Sequence, residues 1–160
     1  MKKIVINRCF GGFGLSALGY KRYAELKGKR AYFFTHYNKN DNLDMDSYYP
    51  VSVEKANSEF IFNVFTIPNP QEILKGKKDW HLMTLEEKKE YNKLYHKYSL
   101  YAHDFKRDDP ILIKVIEELG EKANGRFAEL KIVEIPDNVD WEIDEYDGNE
   151  TIDEVHKSWD

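Results

Sequence analysis

The hydrophobic positions change from a continuous run to helical spacing within the first thirty residues. Lys3 to Asn7 is a β-branched apolar run, which is typical of a buried strand. The glycine-rich segment Phe10 to Gly14 follows and predicts a loop. Ser16 is of the type that caps a helix, and Gly28 can end it. The apolar residues of this predicted helix are Leu15, Ala17, Leu18, Tyr23 and Leu26.

A second strand is predicted at Arg30 to Tyr37, where aromatic residues are frequent. Because a helix would connect it to the first strand, we expect the two to be parallel neighbours in a β-α-β unit with a right-handed crossover. The polar stretch Asn38 to Tyr49 predicts a loop. A third strand is predicted at Phe60 to Ile67, and one helical turn at Gln71 to Leu74.

Two central helices have clear start signals. Thr84 and Glu87 form a capping box, and the helix they open is predicted to run to about Tyr101. Asp109 and Pro110 supply an N-cap and a first-turn proline for the next helix, which Gly120 or Gly125 would end. Its apolar face consists of Ile111, Ile113, Val115, Ile116 and Leu119.

The C-terminal pattern predicts a hairpin. Glu129 to Ile135 alternates apolar and charged residues, Pro136 to Asn138 is a turn, and Val139 to Tyr146 returns. A second turn follows at Asp147-Gly148-Asn149, and Thr151 to Trp159 fits either a short helix or an edge strand. The fold class is therefore a mixed α/β (α+β) protein with one sheet of about five strands. We expect residues 1–160 to form a single domain with an acidic C-terminal part at 134–160.

Composition agrees with one folded domain. The 160 residues are 41% hydrophobic, and no apolar run approaches the roughly 18 to 20 residues of a membrane span. The opening turns polar too quickly for a signal peptide, and the lone Cys9 suits a reducing compartment. These features predict a soluble cytoplasmic protein without a membrane partner.

Charge disfavours nucleic acid as a partner. The formal net charge is -5, and Lys157 is the only cation after Val133. Such an acidic segment repels a phosphate backbone. The acids after Val133 are Glu134, Asp137, Asp140, Glu142, Asp144, Glu145, Asp147, Glu150, Asp153, Glu154 and Asp160.

The loop from Arg8 to Ser16 is the strongest candidate for chemistry. Glycines between a strand and a helix let backbone N–H groups approach an anion, and this geometry suits a phosphate. Gly12, Gly14 and Ala17 fit a loose Gly-x-Gly-x-x-Ala pattern, but no acid ends the second strand to hold a ribose, and the loop has no Walker lysine. In the structural alternative, the glycines only make a tight turn between buried Phe10 and Phe13.

Arginines near helix ends could complete an anion site. Arg107 and Arg126 can clamp a phosphate, or they can satisfy helix carbonyls and pair with Asp108 and Asp109. The predicted ligand-binding residues are Asn7, Arg8, Phe10, Gly11, Gly12, Phe13, Gly14, Ser16, Arg107 and Arg126.

Other patterns predict less. Four tyrosines at helical spacing in the first central helix, the tyrosine stripe, favour core packing. Base stacking or a subunit contact is the alternative, so the sequence leaves a homo-oligomer as one possible state. The acids of the 41–46 loop lack EF-hand spacing, and the five histidines lack zinc-ligand spacing, so neither a metal nor a cofactor is predicted. The only candidates for catalysis are Cys9, His36 and the Asp108–Asp109 pair. The stripe comprises Tyr91, Tyr95, Tyr98 and Tyr101.

Both ends of the chain resemble small uncharacterised proteins of tailed phages and prophages. The resemblance lies in Lys3-Ile-Val-Ile-Asn-Arg-Cys-Phe-Gly-Gly-Phe-Gly-Leu-Ser16, in Arg107-Asp-Asp-Pro110 to Glu118-Leu-Gly120, in Ala123-Asn-Gly125, and in Ala128-Glu-Leu-Lys-Ile-Val-Glu-Ile-Pro136. It ends with Trp141, Glu142, Ile143, Tyr146, Asp147, Gly148, His156 and Trp159. It implies a phage origin, hence host-cell cytoplasm, and small non-structural phage proteins often counter host defence.

Three functions follow as hypotheses. The first is an accessory, anti-defence protein that sequesters a small nucleotide-like, phosphate-bearing ligand at Gly11 to Ser16. The second is a protein inhibitor whose acidic C-terminal hairpin blocks a basic groove on a host protein. The third is an enzyme that acts on nucleotides or sugars.

Overall fold

The computed structural model describes residues 1–45, 47–58, 61–74 and 80–155. Asp46, Phe60, His156, Lys157, Trp159 and Asp160 lie outside the described residues. The helices are α1 (Ala17–Leu26), α2 (Val53–Ser58), α3 (Pro70–Ile73), α4 (Leu85–Tyr98) and α5 (Pro110–Leu119). The strands are β1 (Lys2–Asn7), β2 (Tyr32–Thr35), β3 (Tyr49–Val51), β4 (Asn63–Phe65), β5 (Leu130–Ile135), β6 (Trp141–Tyr146) and β7 (Asn149–Glu154). A mixed α and β composition is thus confirmed.

The chain divides into two compact units. Unit 1 comprises Met1–Lys27 and Ala102–Asp160, and unit 2 comprises Gly28–Tyr101. The expectation of a single domain stays a prediction.

In unit 1, β1 pairs antiparallel with β5, from Lys2 opposite Ile135 to Asn7 opposite Leu130. On its other edge, β1 contacts the segment before α5, where the Val5 N–H donates to the Arg107 carbonyl at 2.8 Å. β6 and β7 form a hairpin. The largest completely buried side chains of this unit include Tyr23, Ile4, Leu112, Val5 and Val115.

In unit 2, β2 lies between β3 and β4, and both pairs are antiparallel. Phe34, Phe65 and Leu74 form a buried cluster, and α4 covers it with Tyr91, Leu94, Tyr95 and Tyr98. The core-packing interpretation of the tyrosine stripe is confirmed for these three tyrosines. Tyr101, by contrast, is 54% exposed.

The predicted sheet differs most from the structure. The described strands form three small sheets rather than one of about five strands, and β1 and β2 belong to different sheets, so β1, α1 and β2 do not form the expected β-α-β unit. Pairing depends on contacts distant in sequence. The apolar strand β1 pairs with β5, whereas Phe33 and Phe34 of β2 are buried among residues of unit 2.

The C-terminal hairpin exists, and β6 lies within the predicted strand Val139 to Tyr146, but its partner is not the predicted one. β5 pairs with β1, and the hairpin consists of β6 and β7 around the Asp147–Gly148 turn. The choice between helix and edge strand after Thr151 is settled as strand up to Glu154; the rest lies outside the described residues.

Helix starts agree with the sequence. The side chains of Ser16, Thr84 and Asp109 accept hydrogen bonds from the first turns of α1, α4 and α5. α4 ends at Tyr98 rather than Tyr101, and β3 begins at Tyr49, the last residue of the predicted loop. Within the described ranges, no helix is long and apolar enough to span a membrane.

Candidate functional site

The glycine loop, residues 8–16, lies between two other turns of unit 1. The Gly125 N–H donates to the Gly14 carbonyl at 2.9 Å, and the Ser16 N–H donates to the Ala123 carbonyl at 2.9 Å. On the other side, the Gly11 N–H donates to the Asp147 carbonyl at 3.3 Å. The loop is therefore held in place by backbone contacts with residues more than 100 positions later in the chain.

The contact with the β6–β7 turn is close enough to require glycine. Gly148 has a φ of 88°, and a Cβ there would lie 2.5 Å from the Gly12 nitrogen. A Cβ on Gly11 would in turn lie 2.7 Å from the Cβ of Phe127. Both distances are below normal van der Waals contact, so only residues without a side chain allow these backbones to approach.

A buried ion pair between Arg107 and Glu150 contacts the loop at Phe13. Glu150 of β7 is only 4% exposed, and its carboxylate accepts two hydrogen bonds from Arg107, at 2.6 and 2.8 Å. The same carboxylate accepts the Asn7 N–H at 2.7 Å. The Arg107 guanidinium lies 3.6 Å from the centre of the Phe13 ring. With this set of partners, the buried charge of Glu150 is compensated.

Asn7 and Ser16 have internal roles as well. The Asn7 amide donates to the carbonyls of Cys9 and Gly148 at 2.9 and 2.8 Å, and its oxygen accepts the Glu129 N–H at 2.8 Å. The Ser16 hydroxyl caps α1 and donates to the Lys122 carbonyl at 2.5 Å. Asn7, Phe13, Ser16 and Arg107 are therefore brought together, and their side chains stabilise the loop from inside.

The other predicted residues lie at the surface. Arg8, Phe10, Gly11 and Arg126 are exposed, and Gly12 and Gly14 are partly exposed. The alternative in which Phe10 and Phe13 are both buried is wrong for Phe10, which is 60% exposed, and right for Phe13. The N–H groups of residues 12–14 have no hydrogen-bond partner among the described residues.

Two aromatic residues that were not among the predicted site residues, Tyr146 and Phe127, lie beside the loop. The rings of Phe10 and Tyr146 meet edge to face, with centroids 6.4 Å apart. Tyr146 is 79% exposed, and Phe127, beside Gly11, is 50% exposed. These aromatic residues were missed because their sequence neighbourhoods predict only a strand and a turn. Glu150 was missed because it is one of many acids in its stretch.

Positive charge at this surface comes from two arginines. The Arg8 Nη1 donates to the Glu150 carbonyl at 2.8 Å, and Arg8 as a whole is exposed to solvent. The Arg126 guanidinium lies 5.9 Å from the centre of the Phe127 ring. The loop surface thus combines backbone donors, cations and aromatic rings.

The candidates for catalysis are divided between the two units. Cys9 belongs to unit 1 and His36 to unit 2, where His36 contacts the Ser47 carbonyl and the Asn63 amide. Asp109 caps α5 and accepts a hydrogen bond from the Tyr23 hydroxyl at 2.6 Å. Burial, followed by this hydrogen bond, raises the pKa of Tyr23 above its ordinary value. Over the described ranges, no group of acids, histidines or cysteines is arranged to hold a metal ion.

A separate shallow groove of about 500 Å³ lies on unit 1. It shares no residue with the glycine loop, and Lys3 and Glu117 of its lining form an ion pair at 2.6 Å. Its lining consists of Lys2, Lys3, Asp108, Pro110, Ile113, Lys114 and Glu117.

Comparison of the chain with protein-family models, curated proteins and solved structures finds no match.

Proposed function

We propose that this protein binds and sequesters a small phosphate-bearing, nucleotide-like ligand at the surface of the glycine loop. The observation that carries the proposal is the row of backbone N–H groups at residues 12–14, which lack a partner among the described residues. Gly12 and Gly14 are partly exposed and carry no side chain, so a ligand can approach their backbone from the side that the Gly148 turn does not cover.

Successive peptide N–H groups are good donors to an oxyanion because they add partial positive charge without a flexible side chain. Arg8 and Arg126, both exposed, add formal charge, since Arg8 begins the loop and Arg126 lies between Gly125 and Phe127, which contact Gly14 and Gly11. Backbone donors without an internal partner and the arginines together favour a dianionic group such as a phosphate over a neutral ligand.

Binding without turnover fits the roles of the neighbouring side chains. The Ser16 hydroxyl is used in the helix cap, and the Glu150 carboxylate is held by Arg107. Neither group faces a ligand as a nucleophile or a base. Sequestration also suits a phage protein of the host cytoplasm that removes a signalling nucleotide, which is the anti-defence role implied by the sequence resemblance.

Titration calorimetry tests the proposal with AMP, ADP-ribose, a cyclic dinucleotide and pyrophosphate as probes. We expect at least one probe to bind, and Arg126→Glu to weaken its binding at least about tenfold. Lys114→Glu is the matched control because it makes the same charge change in the separate groove. Absent heat with all four probes, or equal weakening by Lys114→Glu, would contradict the proposal.

A second candidate function is inhibition of a host protein through the hairpin. Glu142, Asp144 and Asp153 are exposed, and the register places Glu142 directly opposite Asp153. No ion pair joins these three carboxylates to a cation within the described ranges. Like charges directly opposite each other destabilise a hairpin, and a basic partner surface would relieve the repulsion.

Co-purification from a host lysate at low salt tests this second function. We expect a basic host protein to be retained by the wild type and lost with Asp153→Lys. Retention that survives Asp153→Lys would contradict an electrostatic interface at the hairpin.

A further inference from the structure

We propose that the pair Phe10–Tyr146 stacks the planar base of the ligand, so that the site selects a nucleotide over phosphate or a sugar phosphate. This inference rests on the proposed function and adds the part of the ligand that the backbone donors do not contact.

The two rings are exposed although they belong to well-anchored segments. Phe10 and Tyr146 are 60% and 79% exposed while contacting each other edge to face. Arg8, two residues before Phe10, donates its N–H to the Glu129 carbonyl, and Tyr146 ends β6 just before the turn that packs on Gly12. Because the backbone at both positions is fixed, a ligand ring would meet a preformed aromatic surface.

The spacing from the aromatic pair to the backbone donors suits one small ligand. Phe10 precedes Gly12 by two residues, so their backbones are at most about 7 Å apart. A base on Phe10 and a phosphate at residues 12–14 can therefore belong to the same nucleotide. Aromatic stacking is tolerant of base identity, whereas the phosphate donors fix the other end of the ligand.

A buried polar atom beside the pair indicates a further polar contact. Asn149 is directly opposite Tyr146 in the hairpin register, and its side-chain oxygen is buried without a hydrogen-bond partner among the described residues. Such an unpaired acceptor is destabilising. If the amide turns toward the stacked ring, an exocyclic amine of the base can satisfy it, as amides do with adenine.

Charge favours a nucleotide over a peptide or a nucleic-acid strand as the occupant. The exposed arginines Arg8 and Arg126 lie on the flanking segments and match a phosphate. A longer nucleic acid would extend past the hairpin, whose exposed acids Glu142, Asp144 and Asp153 repel phosphates.

Calorimetry with AMP, ribose 5-phosphate and inorganic phosphate tests the inference. We expect AMP to bind about 5- to 150-fold more tightly than ribose 5-phosphate, the range expected for one stacked base. Phe10→Ala and Tyr146→Ala should bring AMP affinity toward that of ribose 5-phosphate and leave ribose 5-phosphate affinity unchanged. Tyr37→Ala is the matched control, because Tyr37 is an exposed tyrosine of unit 2.

The outcomes separate the two proposals. If AMP and ribose 5-phosphate bind equally well, or if the aromatic variants leave the AMP preference intact, base stacking is overturned and phosphate binding stands. If none of the three probes binds the wild type, phosphate binding fails and base stacking fails with it. Phe10→Leu keeps the apolar bulk without the aromatic face, so it gives the same test should Phe10→Ala not fold.

Discussion

The backbone of Gly148 lies directly against the peptide nitrogen of Gly12, and a Cβ at position 148 would come within 2.5 Å of that nitrogen. This contact joins the turn of the β6–β7 hairpin to the glycine loop, although the two residues are far apart in sequence. The loop surface therefore exists in its present shape only while the hairpin is docked.

Gly148→Ala should destabilise unit 1 strongly. The new methyl would displace the glycine loop, and φ at this position is positive, so we expect a loss of about 3 kcal/mol or more in the free energy of unfolding. Gly28→Ala is the matched control, since Gly28 also has a positive φ but open space around its Cα, and it should cost about 1 kcal/mol. Denaturant unfolding compares the two; equal losses would show that the close contact is unimportant.

The Arg107–Glu150 pair should show strong coupling. Removing one partner leaves a buried charge, so Arg107→Ala and Glu150→Ala should each cost about 3–5 kcal/mol, while the double variant should cost clearly less than their sum. Glu150→Gln should be milder than Glu150→Ala, because it keeps an acceptor for the Asn7 N–H. Additive losses in a double-mutant cycle would contradict a direct interaction.

Local signals in the sequence identified most helix boundaries. Ser16, Thr84 and Asp109 cap helices within three residues of their own position, so short-range patterns suffice to predict them. Strand partners could not be predicted in the same way. The apolar run of β1 is equally compatible with β2 or β5, and the choice depends on packing of residues more than 120 positions apart.

The candidate site was predictable in part for the same reason. Glycines between a strand and a helix indicated where the loop lies, and the Arg107 guanidinium lies against Phe13 of this loop, while its predicted role in ligand binding stays a prediction. The sequence does not reveal that Arg107 pairs with Glu150. The acids of the C-terminal stretch cannot be distinguished by pattern, and only the register of β7 shows which of them is buried.

Alkaline pH should destabilise the protein through Tyr23. Burial and the hydrogen bond to Asp109 raise the pKa of the folded-state phenol above its unfolded value of about 10. The folded state therefore holds this proton more tightly, and the associated stability is present below about pH 10 and lost as the pH rises further. The loss should not exceed about 1.4 kcal/mol per pH unit from this group.

Tyr23→Phe should reduce the decrease in stability at alkaline pH. It should also lower the free energy of unfolding near neutral pH by about 1 kcal/mol, because the hydrogen bond to Asp109 is lost. Tyr146→Phe is the control, since its hydroxyl belongs to a highly exposed residue. Unfolding curves from pH 7 to 11 give the comparison, and an unchanged alkaline slope in Tyr23→Phe would contradict this explanation.

Repulsion across the hairpin should be measurable without any partner. Asp153→Lys replaces a like-charge pair with Glu142 by an opposite-charge pair, and should stabilise the protein by up to about 1 kcal/mol at low salt. Glu154→Lys makes the same change in net charge opposite Trp141 and should have a smaller effect. The difference between the two variants should shrink in high salt; if it does not, the stabilisation is not electrostatic.

Phosphate binding by the Gly12–Gly14 amides is tested most directly by an amide NMR titration of the wild type with pyrophosphate. We expect concentration-dependent shifts concentrated at the N–H signals of Gly12, Phe13 and Gly14. Unchanged signals at these residues, or shifts centred instead on Lys2, Lys3 and Lys114, would contradict it.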